Sequence, residues 1–157
     1  MKRAIISVYY KSELSELVSY LEKNNYQIYS TGGTFTHITS LVKSTDSLIN
    51  ISDYTNSPEI CNGRVKTLHP KIFGGILGDR NNDTHKLDLN KIRADFFDLV
   101  VVNLYPFSET VRLTDEQDKI LEQIDIGGHT LIRAAVKNYK DITVLTHPNQ
   151  YKDFITE

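Results

Sequence analysis

The segment Asp98–Leu104 (Asp-Leu-Val-Val-Val-Asn-Leu) constrains this chain more than any other. It is apolar at consecutive positions rather than at alternate ones. A strand with one wet face alternates, whereas a strand covered on both faces does not, and the second case belongs to parallel sheets packed between helices. Arg3–Val8 is a second β-branched run, and shorter ones lie at Gln27–Ser30, Leu48–Ile51 and Ile142–Leu145. Between them the apolar period changes. From Ser12, a good N-cap residue, Leu14, Leu17, Val18 and Leu21 recur at helical spacing until Asn24-Asn25 ends the pattern. Thr34–Val42 and Asp115–Gln123 read as further helices, Gly127-Gly128 opens another through Tyr139, and Pro148 starts a terminal one. Gly74–Leu77 fits either strand or helix. Arg80–Lys91 reads as a polar loop that turns helical near Asp88. Strands alternating with helices predict an α/β fold, a mostly parallel sheet with helices on both faces.

A chain of 157 residues is one domain's worth, residues 1–157, and long enough to bury a proper core. Hydrophobic and charged contents of 39% and 24% are those of a soluble globular protein, and a net charge of −2 gives no reason to expect a nucleic acid partner. Any anion site must therefore be a local cluster of cations. Cys61 is the only cysteine, so neither an internal disulfide nor a zinc-type cysteine pair is available, and the five histidines lack metal-ligand spacing. The apolar run Ala4–Val8 is too short for a signal peptide or a membrane span. These features fit a cytoplasmic enzyme or binding module without a metal.

In open parallel sheets ligands lie beyond the carboxyl ends of the strands. That rule brings Lys11, Thr31–Thr34 and Asn103–Pro106 to one edge. Ser30-Thr31-Gly32-Gly33-Thr34 is a strand–turn–helix junction, a reasonable phosphate seat because helix N-termini offer free N–H groups; paired glycines in a turn also arise for steric reasons alone. Asn62–Pro70 packs Arg64, Lys66, Thr67 and His69 between Gly63 and Pro70. It is either a solvated loop or a rigid one that presents a guanidinium fork, an ammonium and a hydroxyl to one anion. Asp125-Ile126-Gly127-Gly128 reads either as a helix N-cap or as a carboxylate base beside an oxyanion-binding turn. Tyr105, directed by Pro106, is a hydroxyl donor or a core-edge aromatic. Lys137 suits a helix C-terminus, and helical rise separates it from Asp125.

Taken together, Ser30–Thr34 (STGGT), Ser52–Thr55 with Pro58-Glu59, Gly63–Pro70 (GRVKTLHP), Asn103–Phe107 (NLYPF), Ile124–Gly128 (IDIGG) and Arg133–Asn138 (RAAVKN) resemble the inosine monophosphate (IMP) cyclohydrolase domain. In that family it is the N-terminal half of a bifunctional protein of purine biosynthesis that also carries a formyltransferase, which has no counterpart here. The resemblance implies a methylglyoxal-synthase-like three-layer α/β/α sandwich, a homodimer, no cofactor, and dehydrative closure of formyl-AICAR ribotide to IMP. By the same resemblance the 5′-phosphate clamp falls on Lys11, Ser30, Thr31, Gly32, Gly33, Arg64 and Thr67. Tyr9, Tyr10, Thr34, Val65, Val102, Asn103 and Gly128 complete the binding residues. Asp125 is the implied base, Lys137 its proton-exchange partner, and Lys66, Tyr105 and the amides of Ile126 and Gly127 the donors to the formyl oxygen. The chain departs from the family at Phe73, where a histidine is usual, and at Tyr9, where a small hydroxyl residue is usual. The expectation is that the Tyr9 ring swings aside and backbone amides near Tyr10 and Lys11 keep the phosphate contact. Two other functions on the same fold are a non-catalytic purine-nucleotide sensor and a methylglyoxal synthase-like lyase.

Overall fold

The computed structural model describes the whole chain, Met1–Glu157. Five strands, β1 (Lys2–Val8), β2 (Tyr26–Ser30), β3 (Leu48–Asn50), β4 (Leu99–Asn103) and β5 (Thr143–Leu145), form one sheet in the order β3-β2-β1-β4-β5. Every neighbouring pair is parallel, so the sheet expected to be mostly parallel is wholly so. The helices are α1 (Leu14–Lys23), α2 (Gly32–Thr39), α3 (Ile51–Thr55), α4 (Pro70–Leu77), α5 (Asp83–Ile92), α6 (Phe107–Leu113), α7 (Gln117–Leu121), α8 (Ile126–Lys137) and α9 (Asn149–Thr156).

Side-chain alternation divides the core in two. Ala4, Ile6 and Val8 of β1, with Leu99 and Val101 of β4, pack against Leu14, Leu17, Val18 and Leu21 of α1, Ile38 of α2 and Tyr151 of α9. Ile5, Val100 and Val102 face the other way, onto Ile51, Ile72, Ile76, Leu131, Ala134 and Ala135 of α3, α4 and α8. All five residues of β4 are buried, which is why its apolar run does not alternate. The result is a helix–sheet–helix sandwich.

Several local expectations need correction. The residue preceding α1 is Glu13, in a left-handed conformation with φ 61° and no side-chain cap, so Ser12 does not cap that helix. Ile51 starts α3 instead of ending β3, because the Asn50 side chain accepts the Ser52 N–H at 2.9 Å and turns the chain. Gly74–Leu77 is the end of α4, which Pro70 opens. Gly75 is fixed by close approach: a Cβ there would lie 2.2 Å from the Asp95 carbonyl oxygen. Helix α5 begins at Asp83, before the expected Asp88, because Asn82 accepts the N–H groups of Thr84 and His85. The Asp115–Gln123 helix contracts to α7, and α6 was not expected.

The chain moves outward from β1 through β2 to β3, then returns to the other side of β1 at β4. Beyond the carboxyl ends of β1 and β4 their loops diverge, the place where open α/β sheets form a crevice. Asn103 ties these two loops together. Its side-chain oxygen accepts the N–H groups of Tyr9 and Tyr10 at 2.7 and 2.8 Å, and its amide nitrogen donates to the Tyr10 carbonyl at 3.0 Å. No helix of the chain is long and apolar enough to cross a membrane.

Candidate active site

A cavity of about 610 Å³ opens at this edge. Its walls come from the end of β1 (Ser7, Tyr9), the β2–α2 turn (Thr31), the loop before α4 (Asn62–Arg64, Lys66, Thr67), Tyr105 after β4, and the segment from the end of α7 into α8 (Leu121–Gly128). Pockets of about 300–1,000 Å³ accommodate small organic ligands. Tyr9, Thr31, Arg64, Lys66, Thr67, Tyr105 and Asp125–Gly128, expected from separate parts of the sequence, thus meet at one hollow.

The loop before α4 is shaped by its backbone. Ile60 and Val65 form an antiparallel bridge, which closes the segment between them into a tight bend. Cys61, Asn62 and Gly63 have positive φ within it. His69 is a structural residue rather than part of an anion site. Its Nδ1 accepts the Lys71 N–H at 3.1 Å as the cap of α4, with Pro70 in the first turn. That leaves Arg64, Lys66 and Thr67 to face the cavity.

Both cations already hold carboxylates. Arg64 pairs with Glu122 on the opposite wall, and that partnership raises the guanidinium above its ordinary range. The two side chains are 68% and 53% exposed, so water and salt screen the pair. Lys66 pairs with Glu59 at 3.3 Å, at 29% and 30% exposure. Glu59 also accepts the Thr31 hydroxyl. Burial pushes the Glu59 carboxyl up, but the hydrogen bonds from Thr31 and Lys66, the lysine charge and the Gly32 N–H outweigh it and hold the group below 4.5.

Asp125 lines the same cavity and is the N-cap of α8: its Oδ1 accepts the Gly128 N–H at 2.7 Å. Capping and a place in the cavity wall are therefore not alternatives. The first N–H groups of a helix have no intrahelical acceptor, so those of Ile126 and Gly127 remain free to donate. Gly127 lies against Thr67, whose Oγ1 would be 3.0 Å from an added Cβ. Tyr105 and Tyr9 meet edge to face, their ring centres 5.9 Å apart, and Tyr9 meets Tyr10 likewise at 5.1 Å.

Other expected residues are near but differently employed. The Ser30 hydroxyl is buried and donates to the Ile6 carbonyl at 2.8 Å. Thr34 Oγ1 donates to the Val8 carbonyl and accepts the Val8 N–H. Both tie strands and helix together and do not line the cavity. Val102 is core, and Val65 serves the loop bridge. Lys11 Nζ folds back onto the carbonyls of Val8 and Tyr9, and the Tyr10 hydroxyl donates to Glu109. The Asn103 amide is consumed within its loop, as are the N–H groups of Tyr9 and Tyr10, so those two amides are not available to a phosphate. Gly32 touches Lys66, and Gly33 has open space around it. Lys137 is exposed at the far end of α8, roughly 16 Å of helical rise from Ile126, and does not reach the cavity. Sequence reasoning missed Glu59 and Glu122. Glu59 stood in the quoted Pro58-Glu59 word, but its partners Thr31 and Lys66 come from other loops.

An all-parallel α/β/α sandwich with a polar cavity at its switch point is the class these features define. The model of the MGS-like domain matches residues 13–130, and the chain belongs to that family. The chain is similar to the bifunctional purine biosynthesis protein PurH of Prochlorococcus marinus subsp. pastoris, with 48% identity over 98% of the chain. PurH of Staphylococcus aureus strain Newman is 47% identical over 99% of it. The chain spans 29% and 31% of the length of these relatives. The crystal structure of ForH shares the fold with a TM-score of 0.84 and 25% identity, covering 99% of this chain and 77% of that one.

Proposed function

We propose that the chain is an IMP cyclohydrolase, which closes the ring of formyl-AICAR ribotide to IMP with loss of water. One observation carries the reading: Lys66, Tyr105, Asp125, Ile126 and Gly127 line a single cavity with Arg64 and Thr67. The similarity to PurH over nearly the whole chain supports it.

In this reading the 5′-phosphate takes Glu122's place on Arg64 and meets Thr67, an exchange made easy by the exposure of that pair. The carboxamide nitrogen then lies against the formamide carbon of the same molecule, and holding both groups in place replaces a chance encounter. As the C–N bond forms, the nitrogen loses a proton to Asp125, whose Oδ1 is steadied by the Gly128 N–H. The formyl oxygen gains negative charge facing Lys66, the Tyr105 hydroxyl and the free N–H groups at the start of α8. That oxygen takes up the proton held by Asp125 and a second one from the formamide nitrogen, the C–O bond breaks, and water leaves as the C=N bond of the ring forms. Lys137 has no part in this sequence from its place at the far end of α8. No cofactor takes part, the setting is cytoplasmic, and a second copy of the chain completes a homodimer.

The test is an ultraviolet assay of formyl-AICAR ribotide conversion by the wild-type chain, with IMP binding measured alongside by calorimetry. The reading requires both conversion and binding. Binding without conversion would make the chain a nucleotide sensor, a reading favoured by the Tyr9 ring in the cavity wall.

A further inference from the structure

We propose that Glu59 is a positioning residue of this site: from behind the cavity wall its carboxylate fixes the Lys66 ammonium against the turn at Gly32. The inference rests on the cyclohydrolase reading for its consequence in catalysis, but on geometry for the contact itself.

Lysine is a poor choice for a fixed donor. Its four-carbon stem rotates freely, and its charge can visit many places. Here three elements confine it. Gly32, at φ +55°, lies so near that an added Cβ would be 2.7 Å from Lys66 Nζ. Gly63, at φ +83°, would place a Cβ 2.9 Å from Lys66 Cε. Glu59 Oε2 holds the ammonium at 3.3 Å. Side chains at either glycine would fill the slot, and without the carboxylate nothing would hold the lysine in it.

Glu59 is fixed in turn. The Thr31 hydroxyl donates to Oε1, leaving Oε2 for Lys66. Thr31 and Lys66 line the cavity, whereas Glu59 is absent from its wall. The carboxylate therefore acts through Lys66 without touching a ligand. The Thr31 hydroxyl donates its proton to Glu59, so that proton is not available to a phosphate.

The comparison with Arg64 strengthens the case. An exposed pair such as Arg64–Glu122 is one charged hydrogen bond with no further side-chain partner, and it yields to a phosphate. Glu59 has a second side-chain partner in Thr31 and a side chain 30% exposed, so its pairing outlasts ligand entry. Lys66 is thereby kept for the reacting oxygen instead of being drawn to the phosphate.

The decisive variant is Glu59→Gln, which keeps the shape and the acceptor for Thr31 and removes the charge. With formyl-AICAR ribotide as substrate, kcat is expected to fall about tenfold to a hundredfold, the scale of a misplaced catalytic group. KM and IMP affinity should stay within about threefold, and Glu59→Asp should recover part of the loss. Amine acetylation of the ligand-free protein, read by peptide mass spectrometry, should show Lys66 labelling faster in Glu59→Gln while exposed Lys152 is unchanged. Wild-type kcat in Glu59→Gln, or unchanged Lys66 labelling, would overturn the inference. So would a joint fall in kcat, IMP affinity and melting temperature, which marks a merely structural residue. If the wild-type chain converts no substrate, the cyclohydrolase reading fails. Faster Lys66 labelling would still uphold the Glu59–Lys66 contact.

Discussion

Arg3 and Arg80 sit at the amino ends of the strands, Arg64 and Lys66 on loops beyond the carboxyl ends, and all four are paired with carboxylates. At the amino edge Arg3 meets Asp95 at 2.9 Å, and its backbone N–H donates to the Asp98 side chain. Arg80 meets Asp98 at 2.9 Å, donates to the Phe97 carbonyl and lies over the Phe96 ring. Tyr54 accepts the Asp95 N–H at 2.8 Å and packs against Tyr29 and Phe97. Each of these side chains has a partner there, although Arg3 Nε and Arg80 Nε are buried without an acceptor, and none of them lines the cavity. At the carboxyl edge the same residue types face a hollow, and their pairings leave room for a ligand. Charge density alone does not distinguish a site from a structural network; unfilled space beside the charges does.

That contrast can be broken by substitution. Arg64→Ala should weaken IMP binding by roughly tenfold or more, since hydrogen bonds to charged groups contribute about 1.5–3 kcal/mol, and should leave the melting temperature unchanged. Unchanged affinity by calorimetry would remove Arg64 from the site. Tyr54→Phe should do the opposite. It leaves the Asp95 N–H without its acceptor, at a cost of about 1–3 kcal/mol in urea unfolding, with IMP affinity retained. Glu122→Gln frees Arg64 from its competitor and should tighten IMP binding a few-fold, about 1 kcal/mol or less for an exposed pair. Weaker binding in that variant would show Glu122 to be a ligand contact instead.

The two edges should also differ in pH dependence. Glu59 titrates in the folded protein below 4.5, so its contribution to stability is present above that value and fades as pH falls through the folded one. Tyr54 runs the other way. Burial, outweighing the N–H of Asp95, pushes its hydroxyl from 10.0 up to about 12, so the stability tied to the neutral form is complete below 10 and lost as pH rises through about 12. Urea titrations should show Glu59→Gln flattening the acid limb and Tyr54→Phe the alkaline limb. A change in the other limb would contradict the assignment.

Much of this was legible in the sequence because its physics is local. The unbroken apolar run of β4 announces burial on both faces, the strand-edge rule collects Thr31 and Tyr105 without tertiary information, and the Arg64 loop stands out by its own cluster of cations. Helix α3 and the first turn of α5 escaped because each start depends on a single side chain, Asn50 for α3 and Asn82 for α5. Ser30, Thr34 and Asn103 look like ligand residues because hydroxyls and amides suit phosphates equally well. Only the fold reveals that strands and loops consume them. Glu59 and Glu122 were missed for the complementary reason: an acid in a cation-rich site is informative only once its partner is known. Lys137 came from resemblance alone, and its helical distance from Asp125, apparent from spacing, is what the structure shows.

The account rests on Asp125 acting as base while also capping α8. Asparagine keeps a cap of nearly equal strength but cannot take the proton. In Asp125→Asn, IMP affinity should stay within about tenfold and the melting temperature should hold, while conversion of formyl-AICAR ribotide falls by about 10²- to 10⁴-fold, the usual contribution of a positioned base. Wild-type turnover in that variant would contradict the account.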